Sequence, residues 1–219
     1  MNEIEVGMSP LEKNRLIADQ NKSLLDEKRV LMINIMAAPG AGKTSVIAGV
    51  ARYLKPKYKL FVIEADLATS IDTDKLNALR IDSTQINTIS MCHLEAYHIS
   101  ERLEVPLKDG TDVIFIENVG NLVCPSEYYL GEDIRMVIIS ATEGHDKVAK
   151  YPNIFFKVDA IVLNKIDLMK YVGFDEDYLL TSMSKINPKA KFFRTSCQTG
   201  EGLSTLADYI AERLAAKRV

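Results

Sequence analysis

The stretch "VLMINIMAAPGAGKTSVIAGVARYL" (Val30–Leu54) changes character twice. Its first part, Val30–Ala38, is an apolar run rich in β-formers, the texture of a parallel strand buried on both faces. Pro39-Gly40 ends the run, and a helical stretch follows from Lys43 to Leu54. A strand, a Gly-rich turn closing on Gly-Lys-Thr and a helix form the setting in which such a loop cradles phosphate. Gly40 and Gly42 let the backbone around Ala41 curl so that its N–H groups face phosphate oxygens. The helix N-terminus adds its positive dipole end. Lys43 is placed to reach the β- and γ-phosphates and the Thr44 hydroxyl to ligate Mg²⁺, with Ser45 beside them. Ala37 stands where this pattern usually has its first Gly.

The same alternation continues along the chain. "KLFVIEAD", "DVIFIEN", "IRMVIISAT", "DAIVLNKID" and "AKFFRTS" are apolar runs ending in polar residues. Helical stretches are expected at 74–79, 94–103, 177–186 and 203–216. Upstream, residues 10–28 carry Leu11, Leu16, Ile17, Leu24 and Leu25 near helical spacing, which predicts an amphipathic helix. The expectation is one α/β domain over residues 30–219, preceded by a helical extension over 1–29. Its mostly parallel sheet has helices on both faces. Ligands in such folds bind beyond the carboxyl ends of the strands.

Composition limits the partners. Hydrophobic residues are 47% and charged residues 26% of 219, ordinary values for a globular protein. A net charge of −3 and a pI near 5.7 argue against non-specific nucleic-acid binding. No apolar run approaches a membrane span. The three cysteines are scattered and odd in number, which points away from a disulfide framework and toward a reducing cytoplasm.

"NKID" (Asn164–Asp167) closes the next-to-last apolar run. Asp167 is placed to accept hydrogen bonds from the ring N–H and exocyclic amine of guanine. Adenine lacks that ring N–H and would leave the carboxylate short of a partner. Asn164 would order the loop, and Lys165 would lie over the base. "TSCQTGEG" (Thr195–Gly202) resembles the loop that closes over guanine in G domains, bringing Ser196 and Cys197 to the base; the Cys197 side chain itself reads as structural. GTP and GDP are the expected nucleotides.

Acidic residues end two runs between these landmarks. "EADLATSID" supplies Glu64, Asp66 and Asp72, and "ENVGN" supplies Glu117, with Gly120 three residues on. Mg²⁺ takes oxygen ligands and keeps several waters. Thr44, Asp66 and Glu117 are the expected Mg²⁺ set, and Lys43, Asp72 and Glu117 the expected catalytic set. Glu117-x-x-Gly120 occupies the place of a γ-phosphate sensor. "MCHLEAYH" (Met91–His98) sets Cys92 beside His93, with His98 about a turn on. Taken alone, such a cluster suits core filler, a redox site or a metal site.

The motifs "APGAGKTS", "EADLATSID", "CHLEA", "ENVGNLVCP", "TEGHDKVAKYP", "LNKIDL" and "TGEG" occur in this order over nearly the whole chain. Together they resemble the HypB family of hydrogenase nickel-incorporation GTPases, in its compact archaeal-type form. The resemblance implies a P-loop GTPase of the SIMIBI type with slow turnover. It also implies a Ni²⁺ or Zn²⁺ site at Cys92, His93 and Cys124, shared across a GTP-dependent homodimer. The implied partners are a HypA-type nickel metallochaperone and, indirectly, a hydrogenase large-subunit precursor. Tyr97 stands where the family has a further His. His98 lies one position off, about 100° around a helix, and is expected to be exposed. Ile89, Ser90 and Met91 depart from the Gly and Lys that often precede the Cys-His pair. Two other readings remain at this point. A GTPase serving another metalloenzyme, such as urease, is disfavoured by "ENVGNLVCP". A P-loop ATP-dependent small-molecule enzyme is disfavoured by "NKID".

Overall fold

The computed structural model describes residues 8–65, 78–87 and 91–219. Seven strands form one sheet: β1 (Leu31–Ala37), β2 (Leu60–Glu64), β3 (Asp82–Gln85), β4 (Val113–Gly120), β5 (Ile134–Ser140), β6 (Ala160–Asn164) and β7 (Lys191–Arg194). Their spatial order is β3-β2-β4-β1-β5-β6-β7, and every pairing is parallel. The helices are α1 (Pro10–Glu27), α2 (Lys43–Leu54), α3 (Ala96–Ser100), α4 (Glu104–Lys108), α5 (Lys147–Lys150), α6 (Pro152–Phe156), α7 (Met169–Val172), α8 (Glu176–Ile186) and α9 (Leu203–Lys217). This is the expected α/β fold.

Strand parity divides the core. Leu31, Ile33 and Ile35 of β1 face α2 and α9, packing with Val46, Val50, Leu206 and Ile210. Met32 faces the other side with Leu25 of α1, Ile99 of α3 and Ile114 of β4. Met36, further along that side, packs with Ile139, Phe155 of α6 and Leu179 of α8. Both faces are covered, so β1 reads as a continuous apolar run. Asn34 interrupts it and is fully buried.

Two details differ from the sequence reading. Strand β3 escapes it because "DSTQ" is polar and mostly exposed at the sheet edge. The helix expected over 94–103 is the shorter α3, followed by α4. Most of the helix expected over 74–79 lies outside the described residues. Helix α1 starts at a capping box, in which the Glu12 N–H donates to Ser9 Oγ and the Ser9 N–H donates to Glu12. Its buried face is Asn14, Ala18, Asn21 and Leu25, while Leu11, Leu16 and Leu24 are exposed. The apolar pattern therefore predicts the helix, and of its five residues Leu25 lies on the packed face.

Candidate nucleotide and metal site

The carboxyl end of β1 runs into the turn at Pro39–Gly42, and α2 begins at Lys43. Gly42 takes a left-handed φ of 100°, and a Cβ there would lie 2.5 Å from Asn164 Nδ2. Only glycine lets the loop pass so close to the end of β6. Lys43 and Thr44 are buried on the first turn of α2. Thr44 Oγ1 donates to Glu117 Oε1 at 2.7 Å, tying the phosphate loop to the end of β4.

Loops after β6 and β7 meet this turn. Asn164 Nδ2 donates to the Ala41 carbonyl at 2.9 Å, and its Oδ1 accepts from Thr195 Oγ1 at 3.2 Å and Cys197 Sγ at 3.5 Å. Lys165 Nζ donates to the Gly40 carbonyl at 2.7 Å. Ser196 is fully buried and donates through Oγ to Asp167 Oδ1 at 2.5 Å, leaving the second carboxylate oxygen unclaimed by that bond. Beside these groups opens a cleft of 890 Å³, lined by Gly42, Ser45, Asp167, Gln198 and Leu203 among others. It can hold a polar, planar ligand, since its lining includes both Asp167 and the phosphate-loop residues Gly42 and Ser45. Asp66 and Asp72 lie outside the described residues. Glu64 ends β2 and is buried.

Glu117 also starts a second site. The register of β4 against β1 slips between Ile35↔Glu117 and Ala37↔Gly120, so β4 carries one extra residue there. Gly120 then sits against the phosphate loop, where a Cβ would lie 3.0 Å from Pro39 Cγ. Four residues on, Cys124 opens a 3₁₀ turn. The donor atoms of Cys92, His93 and Cys124 all lie within 4.8 Å of one another. Cys92 Sγ is 3.4 Å from His93 Nδ1. A hydrogen bond with Cys124, aided by burial, pushes the Cys92 thiol pKa up. Two sulfurs and an imidazole suit Zn²⁺ or Ni²⁺ and leave one tetrahedral position open.

Residues missed by the sequence reading frame this cluster. Asn121 Nδ2 donates to the Cys92 carbonyl at 3.0 Å and its Oδ1 accepts from the Val123 N–H at 2.9 Å, joining the two halves. Tyr128 stacks on His93 at 3.8 Å between centroids. Glu95 Oε1 is 3.8 Å from His93 Nε2, which favours Nδ1 as the metal-facing nitrogen. Arg135 Nη2 donates to the Pro125 and Ser126 carbonyls, and its Nε pairs at 2.9 Å with the buried Glu132. Glu132 accepts from Asn34, which in turn accepts from Asn118. Asn34 was the one visible signal, a polar residue inside an apolar strand. His98 corrects an expectation: it is buried, and its Nδ1 accepts the Glu95 N–H at 3.0 Å. The exposed neighbour is Tyr97. One position along the helix separates the exposed Tyr97 ring from the buried His98 ring.

A family model, the CobW/HypB/UreG nucleotide-binding domain, matches residues 31–194. The hydrogenase maturation factor HypB of Rhizobium leguminosarum bv. viciae is 35% identical over 215 residues, covering 98% of this chain and 72% of that one. The crystal structure of HypB from Archaeoglobus fulgidus superposes with a TM-score of 0.88 at 35% identity, covering 92% of this chain and 98% of that one. HypB from Helicobacter pylori, solved in complex with nickel, gives 0.87 at 34%, covering 93% and 96%. Fold and cleft define a P-loop nucleotide-binding protein. The chain belongs to the CobW/HypB/UreG family of GTPases, and within it to the HypB hydrogenase maturation factors.

Proposed function

We propose that this chain binds and hydrolyses GTP to control the delivery of nickel during hydrogenase maturation. The observation that carries the reading is the short segment Glu117–Cys124. It begins at a carboxylate bonded to Thr44 of the phosphate loop and ends at a thiol of the Cys/His cluster. A change at the γ-phosphate is felt at its first residue and has few bonds to cross before it reaches the metal.

In this reading Gly40–Ser45 hold the phosphates, with Lys43 neutralising charge as it develops. Asp167 reads guanine, Asn164 and Ser196 fix it in place, and Lys165 and Cys197 wall the base. Thr44 and Glu117, with Asp66, would hold Mg²⁺, which supplies further neutralisation of the phosphate charge. Glu117 and Asp72 are the candidates to orient the attacking water. Cys92, His93 and Cys124 take the cargo ion, Ni²⁺ with Zn²⁺ as its competitor, and a second copy of the chain completes the coordination in the GTP state. A HypA-type metallochaperone and the hydrogenase precursor are the partners that this role calls for.

Equilibrium dialysis against Ni²⁺ tests the metal assignment. Wild type is expected to retain Ni²⁺, and the Cys92→Ala/Cys124→Ala variant to lose it while keeping GDP binding. Equal retention by both proteins would overturn the assignment.

A further inference from the structure

Helix α1 buries amides on the face where leucine would pack better. Asn14 and Asn21 are each 4% exposed. Asn is a poor helix former, and a buried amide is costly unless its groups are bonded. Asn14 Oδ1 accepts the Ala96 N–H at 2.7 Å, and its Nδ2 donates to the Tyr129 carbonyl at 2.8 Å. Asn21 Nδ2 donates to the Ala96 carbonyl at 2.9 Å and the Leu130 carbonyl at 3.1 Å.

Both amides thus join the same two segments. One segment leaves Cys92 and His93 and enters α3 at Ala96. The other leaves the Cys124 turn and passes Tyr128, the ring on which His93 stacks. A chelate split between two segments binds weakly unless something already holds them at the right separation. Asn121 links them close to the sulfurs. Helix α1 links them from the far side.

We propose that Asn14 and Asn21 are positioning residues for the metal site, making α1 a brace that fixes the separation of the Cys92–His93 half from the Cys124 half. This rests on the metal reading given above. Loss of the brace lets the halves drift apart, so the ion is held by fewer donors at a time, while neither amide bonds to any of the described residues that line the nucleotide cleft.

The test uses the full chain with Asn14→Leu/Asn21→Leu, which keeps the branched outline of the side chain, puts methyl groups in place of the amide groups and removes the bonds. Ni²⁺ affinity is read by competition with a chromogenic chelator, thiolate coordination by the sulfur-to-nickel absorption bands, and the cleft by GDP binding. The expected result is affinity about 10-fold or more weaker, with weakened thiolate bands and unchanged GDP binding. A folded variant with wild-type affinity and bands would overturn the brace, even if its unfolding midpoint fell, because a helix that only stabilises moves the midpoint alone. Asn21→Ala, which removes two of the bonds, carries the same test if the double variant does not fold. Wild-type protein without cysteine-dependent Ni²⁺ binding would overturn the metal reading, and the brace with it. Normal wild-type binding with an unaffected variant would overturn the brace alone.

Discussion

Asp167 meets the cleft with one oxygen held by Ser196 at 2.5 Å. That bond fixes the carboxylate plane, so the other oxygen presents a set direction to a base. Asp167→Asn replaces an acceptor with a donor there. The variant is expected to lose preference for GTP by about 10–100-fold, since a mispaired buried polar group costs about 1–3 kcal/mol, and to admit xanthine nucleotides. Competition binding with GDP and XDP reads this, and retained strict guanine selection would refute the role. His98 titrates for a different reason. Burial holds its pKa below the usual 6.5, against the pull of Glu95 and Glu101. The unfolded chain then binds a proton that the folded chain resists. Stability is complete above about pH 6.5 and falls as the pH drops toward the lowered folded value. Protonation also removes the acceptor at Nδ1 that receives the Glu95 N–H. Urea midpoints measured between about pH 7 and about pH 5.5 are expected to fall more steeply for wild type than for His98→Gln. Parallel curves would show that His98 is not the group responsible.

At the scale of elements, the end of β4 matters most. A Cβ at Gly120 would lie 3.0 Å from Pro39 Cγ of the phosphate loop, so a methyl group there crowds the loop, which has to give by a few tenths of an ångström. Gly120→Ala is expected to weaken GTP-analogue binding by about 10-fold, a cost of roughly 1–3 kcal/mol for overpacking. Calorimetry with the analogue and with GDP checks it, and wild-type affinity for the analogue would show that the contact is slack. The sequence made β1, the phosphate turn and α2 legible because periodicity and Gly-Lys-Thr spacing are local signals. It also placed Asn164, Asp167 and Ser196 at strand ends, since each follows an apolar run. The packed face of α1 was not legible. Asn14 and Asn21 are buried because carbonyls of Ala96, Tyr129 and Leu130 wait for them, and those partners are distant in sequence. Strand β3 was hidden because an edge strand needs no apolar alternation. Arg135 and Glu132 pair three residues apart, but their part in the site was hidden because Arg135 meets the Pro125 and Ser126 carbonyls only once β5 lies beside the Cys124 turn.

At the scale of the whole molecule, the nucleotide cleft and the Cys/His cluster share the carboxyl edge of one sheet, and the exit from β4 joins them. No helix among the described residues is long and apolar enough to cross a membrane. An apolar hollow of 460 Å³ lies beside the cluster, lined by His93, Cys124, Tyr128 and Tyr151 among others. In the proposed function the nucleotide sets the affinity of the metal site. Allosteric coupling of this kind typically amounts to about 1–3 kcal/mol, or about 5–150-fold. The most direct measurement is Ni²⁺ affinity of the wild-type protein with GDP and again with a non-hydrolysable GTP analogue, with solution mass determined in each state. Coupling requires affinities that differ by at least about fivefold, with a dimer in the analogue state. Equal affinities in the two states would contradict it.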